Sequence, residues 1–285
     1  MQKRMVLIIK LLLLLVSGQV NAGKLAIVID DIGYRKTEDN QVLALPVALS
    51  IAILSDSPYV REMAEKAYQQ GREILIHMPM QPISHQPLEK NTLTPEMSAS
   101  EIEQHIVTAI KRVPHAKGMN NHMGSAMTAD LAAMINVMRV LSHYDFYFLD
   151  SVTIANTKIN EAAKVFMLPT LRRNVFLDDI KAKVQIRKQF AHAISFAGKH
   201  GSSIVIGHPY PATIGVLLQT LFELPDDIEL VAVSTLLNNN IKDKLQVTWL
   251  DKIQRKFRCD PWHCRKLSAV TAKYHQSQKH YRVLI

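Results

Sequence analysis

Residues 25–34 read LAIVIDDIGY, an unbroken apolar run that ends in two consecutive aspartates and a glycine. Three of its first five residues are β-branched, and no polar residue interrupts them. Such a run suits a strand covered on both faces, as the strands of parallel sheets are. The same form recurs in VALSIAI (47–53), EILIH (73–77), AKGMNN (116–121), FYFLD (146–150), RNVFLD (173–178) and SIVIGH (203–208). Amphipathic stretches separate them. One starts with Ser57 as a cap and Pro58 in the first turn and stops at Gly71. Another starts in SASE, where Ser98 and Glu101 have capping-box spacing and Ile102, Ile106 and Ile110 share a face. Further helices are expected after Thr128, Asn156, Lys183 and Pro211. Strands alternating with helices predict an α/β fold around a parallel sheet. Periodicity alone leaves a doubly wound open sheet and an incomplete (β/α) barrel as alternatives.

In parallel α/β folds the functional groups gather at the carboxyl ends of the strands. Here those ends carry Asp30 and Asp31, His77, His122, Asp150, Asp178 and Asp179, and His208. Adjacent aspartates also cap helices, and a lone histidine is often only a hydrogen-bonded core residue. Six strand ends bearing Asp or His nevertheless predict one shared site. The leading candidates for that site are Asp30, Asp31, His77, His122 and His208. Asn121, Asp150 and Asp178 are further candidates. Two imidazoles and a carboxylate leave an open coordination position, as a catalytic divalent site requires. No glycine-rich phosphate loop follows the first strand, which speaks against nucleotide chemistry.

The chain has 285 residues and a formal net charge of +9, unevenly spread. Residues 1–22 contain Lys3 and Arg4, an apolar run from Met5 to Val16, and a small-residue ending at Ala22. That is the build of a secretory signal peptide, and export to the periplasm is expected. Lys10 interrupts the run, which is shorter than the ~20 apolar residues of a membrane span. Residues 241–285 hold eleven Lys or Arg against three Asp, so this basic C-terminal extension carries the positive charge and the body from 23 to 240 is slightly acidic. The body therefore predicts no nucleic-acid groove, whereas the tail suits an anionic envelope polymer. Cys259 and Cys264 lie in CDPWHC, where a local disulfide is expected in an oxidising compartment.

The segments AIVIDDIGY and GREILIHMPM are similar to the first two motifs of NodB-homology polysaccharide deacetylases. Together with GMNNHMGSAMT, YFLDSVT, VFLDD and IGHPYPAT, they resemble the divergent polysaccharide deacetylase family over about Lys24 to Leu237. The resemblance implies a NodB-like irregular (β/α) barrel with parallel strands and a zinc-type metal site. It assigns Asp30 as catalytic base, Asp31 and His77 as metal ligands, and His208 as general acid. Two departures stand out. Gln81 occupies the place of the usual second histidine, for which His122 is the natural replacement, and the usual arginine-proline motif is missing. The implied activity is metal-dependent deacetylation of an acetylated envelope glycan; the alternative is a glycan-binding or scaffold protein that keeps the barrel without turnover.

Overall fold

A computed structural model describes residues 22–237. The expected signal peptide, the basic extension and both cysteines lie outside the described residues, Ala22 excepted. Nine strands alternate with seven helices among these residues. In chain order they are β1 (Gly23–Ile32), α1 (Lys36–Leu43), β2 (Ser50–Leu54), α2 (Val60–Gln69), β3 (Ile74–Met80), α3 (Ala99–Arg112), β4 (Gly118–Met123), α4 (Leu131–Leu141), β5 (Tyr147–Asp150), α5 (Ile159–Val165), β6 (Thr170–Arg172), β7 (Val175–Phe176), α6 (Lys183–His200), β8 (Ser202–Gly207), α7 (Pro211–Thr220) and β9 (Ile228–Val231).

All pairings are parallel, in the order β6-β5-β4-β3-β2-β1-β8-β7, with β9 also on β1. One edge of β1 is taken by β8 over Lys24–Ile29. The other is shared, β9 pairing with Gly23–Ala26 and β2 with Val28–Ile32. The two ends of the sheet, β6 and β7, are joined by Arg173 and Asn174 alone. Arg173 N–H reaches Asp150 O on one side of this gap and Asn174 N–H reaches Ile204 O on the other. So short a link forces the sheet to curl until its ends nearly meet, which decides for an irregular (β/α) barrel over an open sheet.

The side-chain alternation of β1 shows why its sequence is apolar throughout. Leu25, Ile27 and Ile29 pack outward under the helices, while Ala26 and Val28 turn into the barrel with Ala52, Leu75, Leu149 and Ile206. Val231, Val233 and Leu236 join that inner cluster. The segment after β9 is pinned there, Val233 N–H donating to Ser50 Oγ and Ser234 N–H to Glu73.

All seven expected strands form. The capping box of α3 is present, with Ser98 Oγ accepting from Glu101 N–H and the Glu101 carboxylate accepting from Ser98 N–H. The start of α2 differs from expectation: Tyr59 occupies the N-cap, and Ser57 donates its hydroxyl to Leu54 O instead of capping. Strands β6 and β9 and helix α1 were not anticipated. Charged residues interrupt the apolar pattern of β6 (TLR) and β9 (IELV), and the polar sequence KTEDNQVL of α1 shows little apolar face. Among the described residues no helix is long and apolar enough to cross a membrane.

Candidate metal centre and acid–base pair

Consecutive strand residues normally point to opposite faces, yet Asp30 and Asp31 serve one cavity. The β1–β2 register explains this. Ile29 pairs with Ile51 and Ile32 with Ile53, so β1 fits one extra residue at the aspartates, a bulge that re-aims a side chain. Asp31 takes the left-handed region, φ 56°. Gly33 closes the turn at φ 116°, where a Cβ would lie 1.9 Å from Ser57 Oγ. The buried Asp39 carboxylate holds that turn by accepting from Gly33 and Arg35 N–H.

Neighbouring strands deliver the histidines. In the β3–β4 register Leu75 pairs with Gly118 and Pro79 with His122, which places His77 and His122 at the same end of the barrel. Asp31 Oδ1 lies 3.2 Å from His77 Nε2 and 3.0 Å from His122 Nδ1, and the two nitrogens are 3.1 Å apart. Donors bound at ~2.0–2.2 Å to a tetrahedral ion stand roughly 3.3–3.5 Å from each other, close to the triangle found here. Asp31 Oδ1 is buried and accepts no directional hydrogen bond despite both imidazoles beside it. An orphaned carboxylate oxygen facing two ring nitrogens fits a shared cation.

Asn120 fixes the orientation of two of these groups. Its amide nitrogen donates to Asp30 Oδ1 at 2.8 Å, and its oxygen lies 2.8 Å from His77 Nδ1. An amide oxygen only accepts, so His77 carries a proton on Nδ1 and turns Nε2 to the centre. Asp30 Oδ2 stands 3.7 Å from that nitrogen, near the cluster without completing the triangle.

His208 approaches from β8. Its Nε2 is 4.0 Å from Asp31 Oδ2, and its Nδ1 is 2.8 Å from Asp178 Oδ1. Asp178 is itself locked by Thr213 Oγ1 and His208 N–H, both donating to Oδ2. Asp178 therefore orients His208 and is no surface cap. Asn121 and Asp150 stand outside the cluster. Asn121 accepts from Ser151 N–H and donates to Met123 O, while Asp150 accepts from Val152 N–H. Together with Arg173, which donates to Ser151 O and Val152 O, they hold the loop after β5, including Val152 at φ 54°. Sequence reasoning selected Asn121 and missed its neighbour Asn120; strand alternation, which sends adjacent side chains to opposite faces, is the signal that separates them.

The electrostatics follow from burial and pairing. Burial dominates at Asp30 and holds its carboxyl above the ordinary value, against the pull of His77, His208 and Asn120. Burial would also raise Asp31, but the close approach and charge of His122 and His77 outweigh it and hold the carboxyl well below the usual carboxylate range. Burial would lower His77, and the charges of Asp30 and Asp31 reverse this and push it up to about 9. At His208 burial again lowers, and the Asp178 contact outweighs it to give a raised value. The two adjacent carboxylates are thus shifted in opposite directions, Asp30 up and Asp31 down.

The family model for divergent polysaccharide deacetylases matches residues 27–237. The chain belongs to the divergent polysaccharide deacetylase family. Within reach of this deacetylase-like chain are the YibQ protein of Escherichia coli (strain K12), 57% identical over 226 residues that cover 79% of this chain and 71% of the relative. A Haemophilus influenzae (strain ATCC 51907 / DSM 11121 / KW20 / Rd) protein is 46% identical over 217 residues, 76% of this chain and 78% of its own. Among solved structures, ATU2773 from Agrobacterium tumefaciens C58 superposes with a TM-score of 0.73 at 22% identity, covering 77% of this chain and 91% of that one. The T48 deacetylase, solved with substrate, gives 0.50 at 14% identity over 76% and 92%. These likenesses bear on the fold and agree with the NodB-like irregular barrel.

Proposed function

We propose that this protein is a metal-dependent hydrolase that removes acetyl groups from aminosugars of an exported or envelope glycan such as peptidoglycan. The observation that carries this reading is the triangle of Asp31 Oδ1, His77 Nε2 and His122 Nδ1, flanked by Asp30 and His208. Asp31, His77 and His122 would hold a divalent cation, and their oxygen and nitrogen donors suit zinc. When bound, the cation supplies Lewis acidity toward the acetamide carbonyl and lowers the pKa of a water.

The chain's own residues then manage the protons. Asp30, held above ordinary carboxylate basicity by burial and kept in place by Asn120, accepts the proton of the attacking water. His208 delivers a proton to the departing amine nitrogen, so that amide and water become amine and acetate. Asp178 keeps the Nδ1 side of that imidazole engaged and leaves Nε2 facing the cavity. A second reading, a glycan-binding scaffold without turnover, draws on Gln81 standing where a second histidine is usual.

Metal content and acetate release measured on the same variants separate the two. His77→Ala and His122→Ala are expected to lose most bound metal, because a site deprived of one donor loses its geometry. Asp30→Asn is expected to keep the metal and lose turnover, since an amide does not accept the proton. His208→Ala should also keep the metal and slow release by roughly 10²–10⁴-fold. Metal loss in Asp30→Asn with retention in Asp31→Asn would exchange the two roles. No effect on metal or acetate from any of these variants would leave the scaffold reading.

A further inference from the structure

Two cations meet on one aromatic ring beside His208, and among the described residues no acid forms an ion pair with either. Arg35 stands in the turn after β1, and Lys181 just before α6. Both lie against Tyr210, with Lys181 Nζ 4.0 Å and Arg35 Cζ 5.9 Å from its ring centroid. Tyr210 is in turn stacked on His208, centroids 5.4 Å apart and planes inclined by 28°. Both cationic side chains are exposed, and among the described residues neither forms an ion pair. Asp39, in the first turn of α1, spends its carboxylate on the backbone N–H groups of Gly33 and Arg35. Asp179, two residues from Lys181, makes no ion pair with it.

Unpaired surface cations are ordinary when scattered. These two come from distant parts of the chain and are held by cation–π attraction at a ring that touches the candidate general acid. Like charges kept near one another repel, and an anion placed between them removes that cost. A tyrosine ring with its hydroxyl also offers an apolar edge and a polar tip, which suits a sugar.

We propose that Arg35, Lys181 and Tyr210 form a subsite for an acidic sugar residue adjoining the acetylated residue that enters the metal centre. This rests on the deacetylase reading for the position of the acetylated residue. The substrate class is then an acetylated glycan with carboxylates along its strand, not a neutral homopolymer.

The test compares two probes on the metal-loaded protein: an N-acetylglucosamine–N-acetylmuramic acid tetrasaccharide, whose lactyl groups carry carboxylates, and an N-acetylglucosamine tetramer. Calorimetric binding and acetate release are measured separately. The acidic probe is expected to bind roughly 3–30-fold more tightly, the range that two exposed charge contacts supply. The Arg35→Gln/Lys181→Gln variant should lose that preference while binding the neutral probe as before. In the unaltered protein the preference should also shrink as salt is raised, an arm that needs no variant. Equal affinity for the two probes, a preference retained by the double variant, or one insensitive to salt overturns the subsite. Equal acetate release from both probes with no binding preference leaves the deacetylase reading standing without it. A salt-sensitive binding preference with no acetate release from either probe sustains the subsite and removes the deacetylase reading.

Discussion

Asn120 links the two halves of the candidate site, since one side chain holds both the proposed base and a proposed metal ligand. Its amide spans Asp30 and His77 with two 2.8 Å contacts, all three residues being buried. Removing a partner of this kind from a metal-binding histidine typically weakens the site by 10–100-fold. Asn120→Ala is therefore expected to reduce divalent-metal affinity by roughly that factor, measured by competition with a chelator of known affinity, while far-UV circular dichroism stays native. Unchanged affinity would show that packing alone orients His77. The strand-end rule made Asp30, Asp31, His77, His122 and His208 legible in the sequence because each stands at the end of an expected strand. Asn120 stands inside its strand beside Asn121, and strand alternation, which puts Asn120 on the face of His122, tells the two apart.

At the scale of elements, short apolar segments announced seven strands, and capping chemistry announced the start of α3. The elements that escaped are short or polar, and they draw their stability from tertiary pairing instead of local pattern. Strand β9 is the instructive case. Its four residues pair with the first half of β1, and the chain after it fills the barrel end with Val233 at 0% and Leu236 at 4% exposure. A chain ended after Leu237 is expected to unfold in one cooperative transition. A chain ended after Asp227 exposes that inner cluster and should lose the cooperative thermal transition, read by near-UV circular dichroism. Cooperative unfolding of the shorter chain would assign β9 a peripheral place. The barrel itself was legible only through the family resemblance, because closure depends on the two-residue link between β6 and β7, which leaves no periodic trace.

At the scale of the whole molecule, the sequence separates a slightly acidic body from a tail of net +8 and an apolar leader with a basic start. We hold to the proposal of export to the periplasm and of a tail that contacts anionic envelope material. The small-residue ending at Ala22 sets its test: the mature chain should begin at Gly23, and recovery of the full-length chain from the membrane would contradict it. The described barrel brings Asp30, Asp31, His77, His122 and His208 to one end, and the family to which the chain belongs is one of divergent polysaccharide deacetylases. The central claim is that this end hydrolyses acetamides with a bound divalent ion. The most direct measurement is acetate release from an N-acetylated oligosaccharide by protein stripped with chelator and then reloaded with zinc. The account predicts release that vanishes on stripping and returns at one equivalent of metal. Release that is indifferent to metal, or absent at full metal occupancy for neutral and acidic oligosaccharides alike, would contradict it.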